Sequence, residues 1–349
     1  MTVRPRVRLY QTVRTAHLER AAALPPATIV YRDRRTDFDP ALAEGLDLVR
    51  AGAWRAARMI RGARELEVNE PLMRSALPRT ALVLALLGLV GRRPVVGTYA
   101  IENADPFVAP LPPGLRGLGA RGLRARDRLL AAYVARHVDR VVFGTDAARD
   151  LYAGRFRPGV GVVVPALPAP CGCGVPGASA GSVLFVGAFS PRKGLAELLA
   201  AWPHVVEAHP GAHLTLVGTG PLLPLAQEAA RRGDVTLVVD PPRAEVHRRQ
   251  RTAQVTVLLS QPRPRWREQV GLPIVEGLAH GCTVVTTSET GLAGWLAGHG
   301  HTVIDPDAGP EDTATAIVAA LVAARPPAEI LADLPDRDGR LAAEAALFP

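Results

Sequence analysis

The chain is nearly free of lysine: of its 41 Lys and Arg residues every one but Lys193 is arginine. Cysteine is scarce as well, with 3 in 349 residues. An odd count argues against a disulfide framework. The C-x-C of Cys171 and Cys173 has no partnering Cys or His pair in sequence, so it reads as free thiols in a reducing compartment. Aromatic residues make up 5% of the chain and no recognition motif accompanies its positive charge, which leaves no device for reading nucleic acid. The longest apolar run, Ala81 to Gly91, is too short to span a bilayer, and the opening MTVRPRVRLYQTVR lacks the apolar core of a signal peptide. A cytoplasmic protein is expected.

What is present describes a globular chain, 48% hydrophobic and 21% charged, longer than a single core usually supports, so two domains are expected. Arginine in place of lysine, beside abundant Ala, Gly and Pro, is the signature of a GC-rich genome and makes a surviving lysine informative. A net charge of +8 points to an acidic partner such as a phosphate or a membrane surface.

From Ser182 onward short β-branched runs alternate with helical periodicity. SVLFVG is a buried strand, and apolar residues at 195, 198, 199, 202, 205 and 206 make the stripe of a helix laid on a sheet. HLTLVG, VTLVVD, QVTVLLS and TVVTT continue as strands, with helices over 221–232, 244–251, 272–280 and 311–324. This alternation is that of a parallel, doubly wound Rossmann-like sheet. The first half reads as a second α/β domain, with strands at 7–10, 27–31, 65–70, 94–101 and 139–145 and helices at 40–61, 79–90, 125–137 and 146–153. The expected division is an N-terminal Rossmann-like domain over 1–165, a Pro- and Gly-rich linker over 166–181, a C-terminal domain over 182–325, and a tail over 326–349 that can return to the first domain. Two such domains facing a cleft would hold a ligand at the carboxyl ends of their strands.

Two constellations carry chemistry. In SPRKGL, Ser190 is suited to cap a helix and Pro191 to its first position, which places Arg192 and Lys193 in the first turn. Cations there oppose the helix dipole unless an anion is bound, and a phosphate satisfies dipole, amides and ammonium together. In REQVGLPIVEGLAHG, Glu268 and Glu276 flank a Gly-Leu-Pro turn that opens a helix. Gly271 lets the backbone approach a ligand, the amides around Val270 to Leu272 can face an oxyanion, and Glu276 can accept from vicinal hydroxyls.

The strings FVGAFSPRKGLAELLAAW, LTLVGTGP and EQVGLPIVEGLAHGCTVV, in that order and spacing over 182–325, resemble the C-terminal domain of family 4 (group 1) glycosyltransferases of the GT-B fold. The resemblance implies a nucleoside-diphosphate-sugar donor bound in the C-terminal domain, an acceptor side in the first domain, and transfer with retention; no metal or other cofactor is expected. It places Lys193 on the diphosphate, Glu276 on the ribose, Glu268 with Val270, Gly271 and Leu272 on sugar and phosphate, and Asp240 to Arg243 beside the base. Gly187, Arg192, Gly218 and Gly220 complete the donor set, and Lys193, Glu268 and Glu102 are the catalytic candidates. Three departures stand out. The family's Gly-Arg after the first strand of this domain is Gly187-Ala188, its glycine-rich N-terminal loop is absent from LYQTVRTAHLERAAAL, and its N-domain histidine gives way to Glu102, Asn103 and Asp105 in GTYAIENADPF.

Other readings stay open. A catalytically silent homologue that binds a ligand or partner accounts for the departures. Gly218, Gly220 and Asp240 form an incomplete dinucleotide fingerprint, the mark of an NAD-dependent oxidoreductase, with Leu223 at the third glycine. Asp37/Asp39, Asp305/Asp307 and Asp336/Asp338 have the acid-x-acid pattern of metal-dependent transferases but sit in turns, where capping is expected. The histidines at 209, 213, 299 and 301 read as loop residues. The basic stretch 116–140, with Leu123, Leu129, Leu130, Tyr133 and Val134 beneath its arginines, can lie against anionic lipid or form an ordinary half-buried helix.

Overall fold

The computed structural model describes residues 4–35, 38–89, 93–103, 105, 107, 117–156, 161–174, 177–264, 266–323 and 325–349. Asp37, Arg116 and the last residue of each expected helix at 79–90 and 311–324 therefore lie outside the described residues. The chain divides into two compact units, residues 1–166 with 339–349, and residues 167–338.

The first unit runs β1 (Arg6–Val13), α1 (Thr15–Ala23), β2 (Thr28–Arg34), β3 (Asp47–Arg50), α2 (Ala53–Ile60), β4 (Glu65–Val68), α3 (Leu77–Leu89), β5 (Val95–Ala100), α4 (Gly117–His137), β6 (Arg140–Phe143), α5 (Asp146–Tyr152) and β7 (Gly161–Val163). All strands are parallel, in the order β3-β2-β1-β4-β5-β6-β7. The second unit runs β8 (Ser182–Val186), α6 (Leu195–Ala208), β9 (His213–Val217), α7 (Leu223–Ala229), β10 (Val235–Val238), α8 (Arg243–Thr252), β11 (Val255–Leu258), α9 (Leu272–Ala279), β12 (Thr283–Thr287), α10 (Ala293–Gly298), β13 (Thr302–Ile304), α11 (Pro310–Val322) and α12 (Pro327–Ala332). Its parallel order is β10-β9-β8-β11-β12-β13. Each sheet begins in the middle, winds out one way, then returns and winds the other. That is Rossmann topology, and it leaves a crevice at the carboxyl ends of the two central strands, β1 and β4 in one sheet and β8 and β11 in the other.

The stripe read from the sequence packs α6 on its sheet: Leu195, Leu198, Trp202 and Val205 are buried. Each such side chain contributes about 1.5–3 kcal/mol of burial. The tail divides between the units. α12 stays with the second, and α13 (Gly339–Leu347) packs on the first, where Leu347 and Phe348 join Tyr99 and Val142 in one apolar cluster. A buried ion network pins the same helix. Arg8 reaches Glu67 at 3.1 Å and Glu344 at 2.9 Å, Arg6 reaches Glu344 at 2.6 Å, and Arg340 pairs with Glu67.

Several expectations change. The helix read over 40–61 is a 3-10 turn at Ala41–Ala43, then β3, then α2. Gly45, at φ +77°, breaks the helical course, and Leu48 and Val49 then pair with Ile29 and Val30. The 3-residue edge strands β7 and β13 carry no alternating pattern and were not legible. Residues of the expected linker hydrogen-bond to the second unit: the Cys171 amide donates to Ala279 O at 2.8 Å, Gly177 to Arg251 O at 2.9 Å and Ser179 to Thr252 O at 2.9 Å. Among the described residues no helix is long and apolar enough to cross a membrane.

Candidate functional site

The loop leaving β8 and the loop leaving β11 meet at the crevice of the second sheet, and Gln261 N donates to Arg192 O at 3.0 Å between them. Lys193 is not in the first α-helical turn, as expected from Ser190 and Pro191. It closes a separate 3-10 turn, Pro191–Lys193, and Ser190 makes no side-chain cap. Gly194 then takes a left-handed conformation, φ +73°, and caps α6. A Cβ on Gly194 would run into the carbonyl oxygen of Leu259, so glycine is required for the two loops to touch.

This turn aims the lysine inward. Its ammonium pairs with the Glu268 carboxylate, and each side chain is 10% exposed. Ser260 Oγ donates to the same carboxylate at 3.1 Å. The indole of Trp266 lies beside the pair, its centroid 5.4 Å from Lys193 Nζ and 4.6 Å from Arg192 Cζ. Glu268 is held by its backbone, which bridges to Thr290, while Thr290 Oγ1 donates to Val270 O at 3.1 Å. Gly271, at φ +75°, caps α9; Pro273 has no N–H and Ile274 N donates to Gly271 O at 2.9 Å, so the amides of Gly271 and Leu272 are the ones that lie outside the helix ladder. Val270 and Gly271 are buried and Leu272 is exposed.

Glu276, one turn into α9, pairs with Arg243 and accepts from Gln250 Nε2 at 3.2 Å, both from α8. Asp240 is exposed, with φ +45°. The structure thus brings Lys193, Arg192, Glu268 and the 270–272 turn together, and Arg243 onto Glu276. For Gly218 and Gly220 it supplies a packing reason: side chains there would strike the carbonyl oxygens of Gly187 and Phe189. Sequence reasoning missed Ser260 and Trp266. Both lie between β11 and α9, where position after a central strand was the available signal.

Glu102 lies in the other unit, past the end of β5, where its carboxylate accepts from the Asn103 amide at 3.1 Å. Its neighbour Glu70, just past β4, was also missed. Glu70 has a left-handed backbone, φ +45°, accepts from the Ile101 amide at 3.0 Å and is buried. Burial, and then the charge of Glu102, push its carboxyl up to about 8. A strained, buried acid at the carboxyl edge of a Rossmann sheet is a functional candidate.

Asp39 accepts from Ala41 N and Asp305 from Asp307 N, each at 2.8 Å, which is turn capping. α4 buries Ala131 and Val134 and packs Leu130 and Tyr133 on the core, leaving Leu118 and Leu129 exposed near Arg121 and Arg128. Cys171 and Cys173, read as lacking a His pair, face His247 and His280.

Residues 180–322 match the family model described as glycosyl transferases, group 1. The chain carries a group 1 glycosyltransferase domain. Solved structures extend the likeness to nearly the whole length. The apo lipopolysaccharide outer core galactosyltransferase WaaB superposes with a TM-score of 0.65 at 10% identity, over 98% of this chain and 99% of that one. Anabaena Alr3699/HepE in complex with UDP gives 0.65 at 12% identity, covering 98% and 95%. A UDP-forming trehalose-phosphate synthase from Burkholderia xenovorans gives 0.59 at 13%, covering 98% and 95%. At these identities the likeness establishes the fold, which is GT-B: two Rossmann-like domains. No curated protein sequence matches the chain. The buried Lys193–Glu268 pair therefore sits at the central crevice of the domain that the group 1 glycosyltransferase model covers.

Proposed function

We propose that this protein is a retaining family 4 glycosyltransferase that takes a nucleoside-diphosphate sugar as donor, with no metal or other cofactor in the transfer step. The observation that carries this reading is the chain's one lysine, buried against Glu268 where β8 and β11 diverge inside a group 1 glycosyltransferase domain. The pair is charge-neutral. A diphosphate competes for the ammonium, and Glu268, released from it, accepts from a sugar hydroxyl. The difficult step is departure of the nucleoside diphosphate while positive charge grows on the sugar. Lys193 and the leading amides of α9 stabilise the leaving oxygens, each such donor being worth about 3–4 kcal/mol in comparable sites. Glu276 receives the ribose hydroxyls, exchanging its bond to Arg243, and Asp240 to Arg243 border the base.

The absent arginine at position 188 has a candidate replacement in Arg192, whose guanidinium stacks on the same indole that flanks Lys193. In the other unit, Glu70 and Glu102 stand at the carboxyl edge of the sheet, where we place acceptor recognition. Solved neighbours bound to UDP or named UDP-forming make a uridine diphosphate sugar the first donor to try. The test is thermal stabilisation by UDP, GDP and ADP, followed by donor hydrolysis and transfer. Turnover that is lost in the Lys193→Ala/Glu268→Gln protein supports the enzyme. Binding without turnover by wild type supports the silent homologue, and bound nicotinamide supports the oxidoreductase. Contact of the exposed face of α4 with anionic lipid is the remaining part of the proposal, read by co-sedimentation with phosphatidylserine vesicles across salt concentrations.

A further inference from the structure

We propose that Cys171, Cys173, His247 and His280 form a structural zinc site that staples the segment before β8 to helices α8 and α9. The four ligand atoms lie within 4.8 Å of one another. His247 Nδ1 is 3.1 Å from His280 Nε2, 3.9 Å from Cys171 Sγ and 4.0 Å from Cys173 Sγ, and Cys173 Sγ is 3.2 Å from His280 Nε2. A zinc tetrahedron with bonds of about 2.0–2.3 Å has edges of about 3.3–3.8 Å. These separations bracket that range. The two sulfurs, at 2.7 Å, need to part by about 1 Å to become co-ligands, a shift that the glycines at 172 and 174 can absorb.

The surroundings are those of a metal site. His280 Nδ1 is 2.6 Å from the Glu276 carbonyl oxygen. Nδ1 therefore carries the hydrogen and donates it, which leaves the Nε2 lone pair facing the cluster. Arg251 donates to Cys173 Sγ at 3.2 Å and to Cys173 O at 3.1 Å, a cation placed to favour thiolate. The Cys171 amide is anchored on Ala279 O at 2.8 Å, so the loop meets the end of α9 whether or not its thiols are engaged. Two sulfurs and two imidazoles, a donor set that zinc takes tetrahedrally with all four positions filled by protein, select zinc and close the site to substrate. Binding releases two thiol protons to solvent and joins three segments far apart in sequence.

The test uses full-length protein prepared under reducing conditions, without a chelating tag, from zinc-supplemented medium. Elemental analysis is expected to give about one zinc per chain, and cobalt(II) exchange to give a thiolate-to-cobalt charge-transfer band with tetrahedral ligand-field absorption. Both disappear in Cys171→Ser/Cys173→Ser and weaken strongly in His247→Ala. Arg251→Ala, with every ligand intact, lowers zinc affinity by about 10–100-fold. Chelation increases hydrogen exchange in residues 171–179 and 243–252 of wild type. Should a Cys variant fail to fold, the cobalt spectrum of wild type decides alone. A reduced wild-type chain that retains no zinc and gives no charge-transfer band overturns the site, as does metal binding that survives loss of both thiols.

Discussion

At the scale of single residues, the candidate site is built from charges that cannot be removed one at a time. Lys193 and Glu268 are buried together, so Lys193→Ala strands a carboxylate and is expected to cost about 3–5 kcal/mol in chemical denaturation. The Lys193→Ala/Glu268→Gln protein is expected to recover much of that stability while staying unresponsive to nucleoside diphosphate in a thermal-shift assay. Stability that returns together with ligand response would separate Lys193 from donor binding. Glu70 makes a second prediction. Its carboxyl is held up at about 8 against an ordinary value of 4.5, so the folded state keeps a proton that the unfolded chain releases. The stabilising contribution is whole below pH 4.5 and is lost progressively as pH rises toward 8. Glu70→Gln is expected to flatten this slope in denaturation midpoints measured across that window, and an unchanged slope would assign it to other groups.

At the scale of elements, the connections after β8 and β11 decide the site more than the strands do. Gly194 must be left-handed because the 3-10 turn carrying Lys193 and helix α6 meet there against the backbone of Leu259. Gly194→Ala is expected to destabilise by more than about 1 kcal/mol, combining a strained φ with a backbone collision. Differential scanning calorimetry checks this, and a melting temperature equal to wild type would show that the loops can separate without cost. The helices that flank strands were legible from periodicity, as the stripe of α6 shows. The 40–61 segment was not, because its apolar residues satisfy helix and strand patterns alike until Gly45 and Gly52 impose breaks. Ser260 and Trp266 were not legible either, since Ser260 acts on Glu268 through the fold of their shared loop and Trp266 on Arg192 and Lys193 of another loop.

At the scale of the whole molecule, the last helix belongs to the first unit. Arg8 and Glu67 are each 1% exposed and pair with each other, and each takes a second charged partner from α13, Glu344 for Arg8 and Arg340 for Glu67. Deleting residues 339–349 reduces that network to the Arg8–Glu67 pair, strips each of its second charged partner, and uncovers Tyr99 and Val142. The first unit is then expected to unfold at lower denaturant than the second, giving two transitions by circular dichroism where 177–338 keeps its protection from proteolysis. A single transition at the wild-type midpoint would mean that the helix is dispensable.

Taken by itself, the sequence determined the two Rossmann-like halves, the strand–helix alternation of the second, and the kinship of SPRKGL and EQVGLPIVEGL with group 1 glycosyltransferases. These are local properties: hydrophobic period, turn residues and short motifs are written within a few consecutive positions. Only the tertiary structure decided that Lys193 is neutralised by Glu268, that Glu70 joins Glu102, and that a C-x-C pair meets two histidines. Those pairings link residues as distant as Cys173 and His280, separated by 107 positions. Through-space Coulomb, desolvation and coordination geometry depend on distance in the folded chain, which no spacing in the sequence encodes.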